Sequence, residues 1–258
     1  MAYAASWNSL RQHQCPQWIR DEKFGIYTHW GVYSVPACGP NGTWYPYQMY
    51  RPGNPQYDHH VATYGPPEKF GYKDFVPMFT AEHFDADDWA ELFKASGARF
   101  AGPVAEHHDG FSMWNSKVNK WNAARMGPKR DVVGELATAI RKQGMRFMVA
   151  MHHAERHWFY NHDNRYDTTD PKYAGLYGKP HDIGSDAVTG NDWVRQERPD
   201  REFLDEWRVK LDEVVDGYQP DFIWFDDGIG LVQEHYKREF LAYYYNQAEA
   251  WGKEVLVS

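Results

Sequence analysis

Cysteine is scarce in this chain, with only Cys15 and Cys38 among 258 residues. Neither stands in a C-x-x-C pair, which speaks against a zinc ribbon or a thioredoxin-like redox motif. No run of about 18 apolar residues occurs, so no membrane span and no membrane partner are expected. The first residues lack a basic stretch followed by an apolar one. No signal peptide is therefore expected, and a cytoplasmic location is the default. Basic residues are outnumbered, 28 Lys and Arg against 36 Asp and Glu, for a net charge of -8. A phosphate-binding surface needs clustered cations, so nucleic acid is not an expected partner. Zinc-hydrolase spacings, H-x-H and H-E-x-x-H, are also absent.

Aromatic residues are plentiful, at 17 % with 12 Trp and 18 Tyr. Such rings fill cores, but they also stack on the apolar faces of sugars. A neutral, hydroxyl-rich ligand suits this composition. At this length the chain can bury a sizeable core, as one large α/β domain or two small ones.

The central stretch is Arg99–Trp114, which runs from an apolar segment into Glu106, His107, His108 and Asp109. A strand that delivers its polar residues at its C-terminal end is how an α/β barrel presents chemistry. The plainer alternative is that one histidine is structural and Asp109 caps a turn. The same pattern recurs three times. Phe24–Trp30 carries His29 near its end, Arg146–Met151 leads into His152, His153 and Glu155, and Asp221–Phe225 leads into Asp226 and Asp227. His29 also has a bland reading, as a packing histidine beside Trp30.

Between these runs lie helical patterns. The first spans about Ala86 to Ser96, with Asp85 as N-cap and Trp89, Leu92 and Phe93 on one face. The next spans about Val132 to Gln143, capped by Asp131, with Val133, Leu136, Ala137 and Ile140 facing inward. Two more span about Arg201 to Tyr218 and Val232 to Trp251, and a last strand begins at Glu254. Residues 31–79 are broken by many prolines and read as an irregular, aromatic loop folded over a pocket. Residues 156–199 read as a polar insertion.

Alternation of strands and helices indicates a parallel sheet. Polar strand ends on one face indicate a TIM-like (β/α) barrel. A doubly wound open sheet has little support, because no Gly-rich phosphate loop follows the first strand. Five strands do not close an eight-stranded barrel, and the sequence stops within an apolar run. The chain is therefore expected to be a partial catalytic barrel domain over residues 1–258, distorted and incomplete at its C-terminus. Further copies of the chain in a homo-oligomer are the alternative source of the missing wall.

The polar strand ends allow two chemistries: metal-assisted hydrolysis on histidines, or glycoside hydrolysis on carboxylates. Neighbouring residues on a strand point to opposite sides, so His107 and His108 are not expected to share an ion. The aromatic loops favour a sugar.

Several segments are similar to the α-L-fucosidases of glycoside hydrolase family 29. They are Trp18–Ala37, Trp44–Tyr50, His107–Trp114, Gly127–Leu136 and Pro220–Asp226. They are collinear and span about residues 15 to 258. The resemblance implies a retaining hydrolase that removes terminal α-L-fucose from fucosylated glycans, on a distorted (β/α) barrel usually followed by a β-sandwich. It implies that Asp226 is the nucleophile, with Trp224 beside the sugar. It implies that His29, His107 and His108 bind ring hydroxyls, and that Trp44 packs on the C5 methyl side. No cofactor and no metal are implied.

Two departures stand out. Thr43-Trp44-Tyr45 replaces the family's frequent Glu-Trp-Tyr, removing a sugar-binding carboxylate. The family's acid/base carboxylate lies beyond the strand that begins at Glu254, so the acid/base stays unassigned. Glu106 and Glu155 are read as ion-paired structural residues. No β-sandwich is expected within these residues, and the isolated chain is expected to be unstable or poorly active. The competing readings are a fucose-binding pseudoenzyme without a proton donor and a His-rich metal-dependent hydrolase.

Overall fold

The computed structural model describes residues 2–180, 198–226 and 228–258. Among these, five parallel strands form one sheet in sequential order. They are β1 (Gly25–Thr28), β2 (Phe100–Glu106), β3 (Arg146–Met151), β4 (Phe222–Phe225) and β5 (Leu256–Val257). A doubly wound sheet would reverse its order at a switch point. Sequential parallel order with helical crossovers is the wall of a (β/α) barrel.

The helices of eight or more residues are α1 (Pro55–Thr63), α2 (Ala86–Ala95), α3 (Val132–Lys142), α4 (Arg201–Tyr218) and α5 (Glu234–Trp251). Their starts follow from capping chemistry. The Asp85 carboxylate accepts from the N–H groups of Asp87 and Asp88 at 2.9 and 3.2 Å, satisfying donors that the first turn of α2 leaves open. Asp131 accepts from Gly134 N–H at 2.9 Å, and its other oxygen accepts from Tyr218 Oη at 2.7 Å. One side chain thus starts α3 and ties it to the end of α4.

The sheet has two different faces. Ala101, Phe147, Val149 and Ile223 belong to the large core shared with the inward residues of α3 and α4. Phe100, Met148 and Phe222 point the other way and join Trp18 in a separate cluster, flanked by half-buried Ile19, Trp224 and Leu256. This second face lines a cavity of about 390 Å³. Gly102 lets β2 and β3 lie close there, since a Cβ at that position would fall 1.7 Å from the carbonyl oxygen of Met148.

Some expectations need correction. Residues 31–79 are not irregular throughout, for they contain α1 and several single helical turns. Pro55 starts α1 rather than breaking it, because a proline in the first turn needs no N–H and has its φ preset. Leu92 does not join the buried face of α2 and is 67 % exposed, whereas Phe93 is buried. Strand β1 is shorter than the apolar run around it, which leaves His29 just past its end. The 156–199 insertion is built of short helical turns as far as Tyr177, and residues 181–197 lie outside the described residues. No described helix is long and apolar enough to cross a membrane.

Candidate active site

The C-terminal ends of β1, β2, β3 and β4 bring His29, His107, His108, His152 and Asp226 to one rim. Ring centroids are 5.5 Å apart for His29 and His107, 5.1 Å for His29 and His152, and 5.2 Å for His107 and His152. His108 lies 4.2 Å from His107. Strand β2 ends at Glu106, so strand alternation no longer governs the next two residues. That is why His107 and His108 both reach the rim.

The rings are held by packing and by few hydrogen bonds. His108 Nδ1 donates to the carbonyl oxygen of His152 at 2.7 Å, and its Nε2 lies 3.5 Å from Glu155 Oε2. Trp44 meets His108 edge-on at 5.3 Å, and Phe159 packs on His108 at 5.3 Å. Tyr33 backs His107 at 5.2 Å. The 31–79 segment therefore does fold over the rim, as its aromatic content implies. It is anchored behind by Tyr72 Oη, which donates to Asp109 Oδ2 at 2.7 Å.

Burial sets the charge of this cluster. It pushes His108 and His152 down to about 3, with the neighbouring histidines adding to the fall. It lowers His107 well below the ordinary histidine value, again helped by its neighbours. His29 is also lowered by burial, with Asp226 pulling the other way. Near pH 7 the imidazoles are neutral, each with one N–H donor and one acceptor. The Asp226 carboxylate is 43 % exposed, and its Oδ2 lies 3.6 Å from His152 Nδ1. A solvent-open carboxylate ringed by neutral donors can bind a polyol and attack an electrophilic carbon within it.

A family model described as alpha-L-fucosidase matches residues 1–258. The chain belongs to the α-L-fucosidase family. Tissue alpha-L-fucosidase of Bos taurus is 36% identical over 248 residues, 95% of this chain and 46% of that protein. Plasma alpha-L-fucosidase of Homo sapiens is 35% identical over 252 residues, 97% of this chain and 48% of that one. The solved Thermotoga maritima alpha-fucosidase matches with a TM-score of 0.80 at 33% identity, over 99% of this chain and 56% of that chain. The chain thus spans about half the length of the curated relatives it matches.

Among the residues that the fucosidase resemblance singles out, Asp226, His29, His107, His108 and Trp44 come together on the rim. Trp224 sits one layer lower, on the inner face of β4. Its ring stacks on Tyr27 at 6.4 Å, and Tyr27 in turn meets His29 at 5.1 Å. The Trp224 Nε1 is buried without a hydrogen-bond partner. Asp227 lies outside the described residues.

Other strand-end residues turn away from the rim. Asp109 accepts from Tyr72 Oη and from Phe111 N–H, behind the histidines. Burial raises its carboxyl to about 7, although both hydrogen bonds oppose this. His153 points to α4, where its Nε2 bonds the carbonyl oxygen of Trp207 at 3.2 Å. Glu106 is buried in an ion pair with Lys210 Nζ at 2.6 Å, as the structural reading anticipates. Sequence reasoning did not single out His152 from the other polar strand ends, yet it touches His29, His107 and His108. The available signal was its position, directly after the last residue of β3.

Proposed function

We propose that this chain forms the fucose-binding side of a retaining α-L-fucosidase, with Asp226 as nucleophile. The observation that carries the reading is the open Asp226 carboxylate on a rim of neutral, buried histidines and Trp44. The neutral imidazoles and the Trp44 edge suit a sugar that presents hydroxyls on one side and an apolar patch on the other. His29, His107 and His108 would donate to ring hydroxyls, and Trp44 would meet the C5 methyl side.

In the first step an Asp226 oxygen forms a bond to the anomeric carbon. The bond from that carbon to the leaving oxygen breaks, and the oxygen takes up a proton. In the second step water attacks the same carbon and gives up a proton, replacing the one taken by the leaving oxygen, while the carbon's bond to Asp226 breaks, releasing the carboxylate and fucose with net retention. The substrate class is a terminal α-L-fucoside on an oligosaccharide or glycoconjugate. Glu106 does not supply the proton, because it is fully buried against Lys210, on the helix side of the sheet.

The test is hydrolysis of an aryl α-L-fucoside, whose leaving group needs little protonation, by the chain and by Asp226→Gly. Turnover is expected to fall on the order of 10³-fold or more in the variant. Added azide is expected to restore product release there, giving a fucosyl azide of inverted configuration. Equal turnover in both proteins would overturn the assignment of Asp226.

A further inference from the structure

His29, His107 and His152 each offer one ring nitrogen, and these atoms all lie within 4.8 Å of one another. They come from the ends of β1, β2 and β3. The set is therefore held by three neighbouring strands rather than by one flexible loop. His107 and His152 form a buried base, and the exposed His29 provides the side from which an ion can enter.

These nitrogens are not committed elsewhere. Both ring nitrogens of His152 and Nδ1 of His107 are buried with no hydrogen-bond partner. His152 is 0 % exposed and His107 is 3 % exposed. A buried polar atom left unpaired costs about 1–3 kcal/mol, so it is rarely retained without something to pair with. The adjacent His108 differs, since its Nδ1 is bonded to the His152 carbonyl oxygen and its Nε2 faces Glu155.

We propose that His29, His107 and His152 bind one divalent cation of the zinc class, at a site that overlaps the sugar pocket and closes it. Three neutral imidazoles with an open fourth position suit Zn²⁺ and similar borderline ions, whereas Mg²⁺ and Ca²⁺ prefer oxygen donors. Tetrahedral Zn–N bonds of about 2.0–2.1 Å place ligand nitrogens roughly 3.3 Å apart. The three ring nitrogens, within 4.8 Å of one another, draw together to that spacing when the ion binds. An ion on His152 Nε2 leaves Nδ1 on the Asp226 side, with Oδ2 3.6 Å away. A small approach of the two would make the carboxylate–histidine pair that commonly supports a metal-bound imidazole. Closure of the sugar pocket rests on the fucose-binding reading above; ion binding itself does not.

The experiment titrates Zn²⁺ into the metal-stripped chain by calorimetry and records the visible spectrum with Co²⁺. One ion per chain is expected, with the intense Co²⁺ bands of a tetrahedral site. Affinity should fall at least about 100-fold in His29→Ala, whose exposed side chain can be removed without disturbing the core, and similarly in His152→Ala. Absence of Zn²⁺ uptake at millimolar concentration, or unchanged affinity in His29→Ala, would overturn the site. Free L-fucose is expected to weaken Zn²⁺ binding competitively. Zn²⁺ binding that is lost in His29→Ala yet indifferent to fucose would support the ion site and sink the sugar reading instead.

Discussion

Two buried ionisable clusters lie back to back at the ends of β2 and β3, only one residue apart in the sequence. On the outer side Glu106 pairs with Lys210 at 2.6 Å, Lys210 with Glu206 at 3.0 Å, and Glu206 with Arg156 at 2.8 Å. Ser112 Oγ donates to the second Glu106 oxygen at 2.5 Å. On the inner side His107 and His152 carry unpaired ring nitrogens. Each outer charge is answered by an opposite charge from α4 or its neighbours. The inner histidines gather donors and acceptors with little to receive them. Ionisable content alone does not distinguish a structural cluster from a binding one; what differs is whether the protein itself supplies the partners.

The largest effect should come from breaking the outer cluster. Burial pushes the Glu106 carboxyl up, but Lys210, His153 and Arg156 outweigh it and hold the group below its ordinary value. Lys210→Met leaves that carboxylate buried without its nearest cation. The expected loss is about 3–5 kcal/mol in urea unfolding, with much of it recovered in the Glu106→Gln/Lys210→Met double variant. A loss under 1 kcal/mol for Lys210→Met would show that the two clusters do not differ as described.

The inner cluster should respond to pH rather than to the loss of a charge partner. Unfolded histidines take up protons near pH 6.5, whereas folded His108 and His152 do so only at about 3, and His107 is held well below its ordinary value. Their contribution to stability is complete above pH 6.5 and is lost as the pH falls through that window. Each histidine adds a slope of about 1.4 kcal/mol per pH unit. Asp109, raised to about 7, acts in the opposite sense. Its contribution is complete below its unfolded value near 3.9 and is lost as the pH rises through 7. The histidines outnumber it, so urea midpoints should fall from pH 6.5 towards pH 4. His152→Gln should flatten that fall; an unchanged slope would show that this ring is not held neutral.

A smaller effect is expected for His29→Ala. Its stability change should stay within about 0.5 kcal/mol because the side chain lies at the exposed rim. Affinity for L-fucose should drop by about 1–2 kcal/mol with the lost hydrogen bond, read by calorimetry. Smallest of all is Leu92→Lys, expected to shift the urea midpoint by less than the equivalent of 0.5 kcal/mol because Leu92 is 67 % exposed. A large loss there would return Leu92 to the buried face of α2, from which its exposure removes it.

Much of this architecture is legible in the order of residues. Strand β3 occupies the very run expected, Arg146–Met151, and α4 spans Arg201–Tyr218 as its spacing implies. Asp85 and Asp131 announce their helices because capping is a local interaction between a side chain and the next few N–H groups. The roles of neighbouring polar residues are less legible. His152 and His153 are adjacent, yet one faces the rim and the other bonds the Trp207 carbonyl oxygen. Lys210 reads as one more cation on a helix but is 0 % exposed. Nothing within a few residues of it reveals the Glu106 carboxylate more than a hundred positions away.

The sequence by itself determined the parallel strand–helix alternation, the polar strand ends and the family. Hydrophobic periodicity, caps and long collinear motifs are all written in neighbouring residues. Only the tertiary structure decided which histidines converge, that Asp109 and His153 turn away, and that Glu106 is ion-paired with Lys210 while Asp226 stays open to solvent. Those outcomes depend on where strand β2 stops, on how deeply each group is buried and on partners brought from distant parts of the chain. A side chain's distance to such partners is set by packing, which no local pattern encodes.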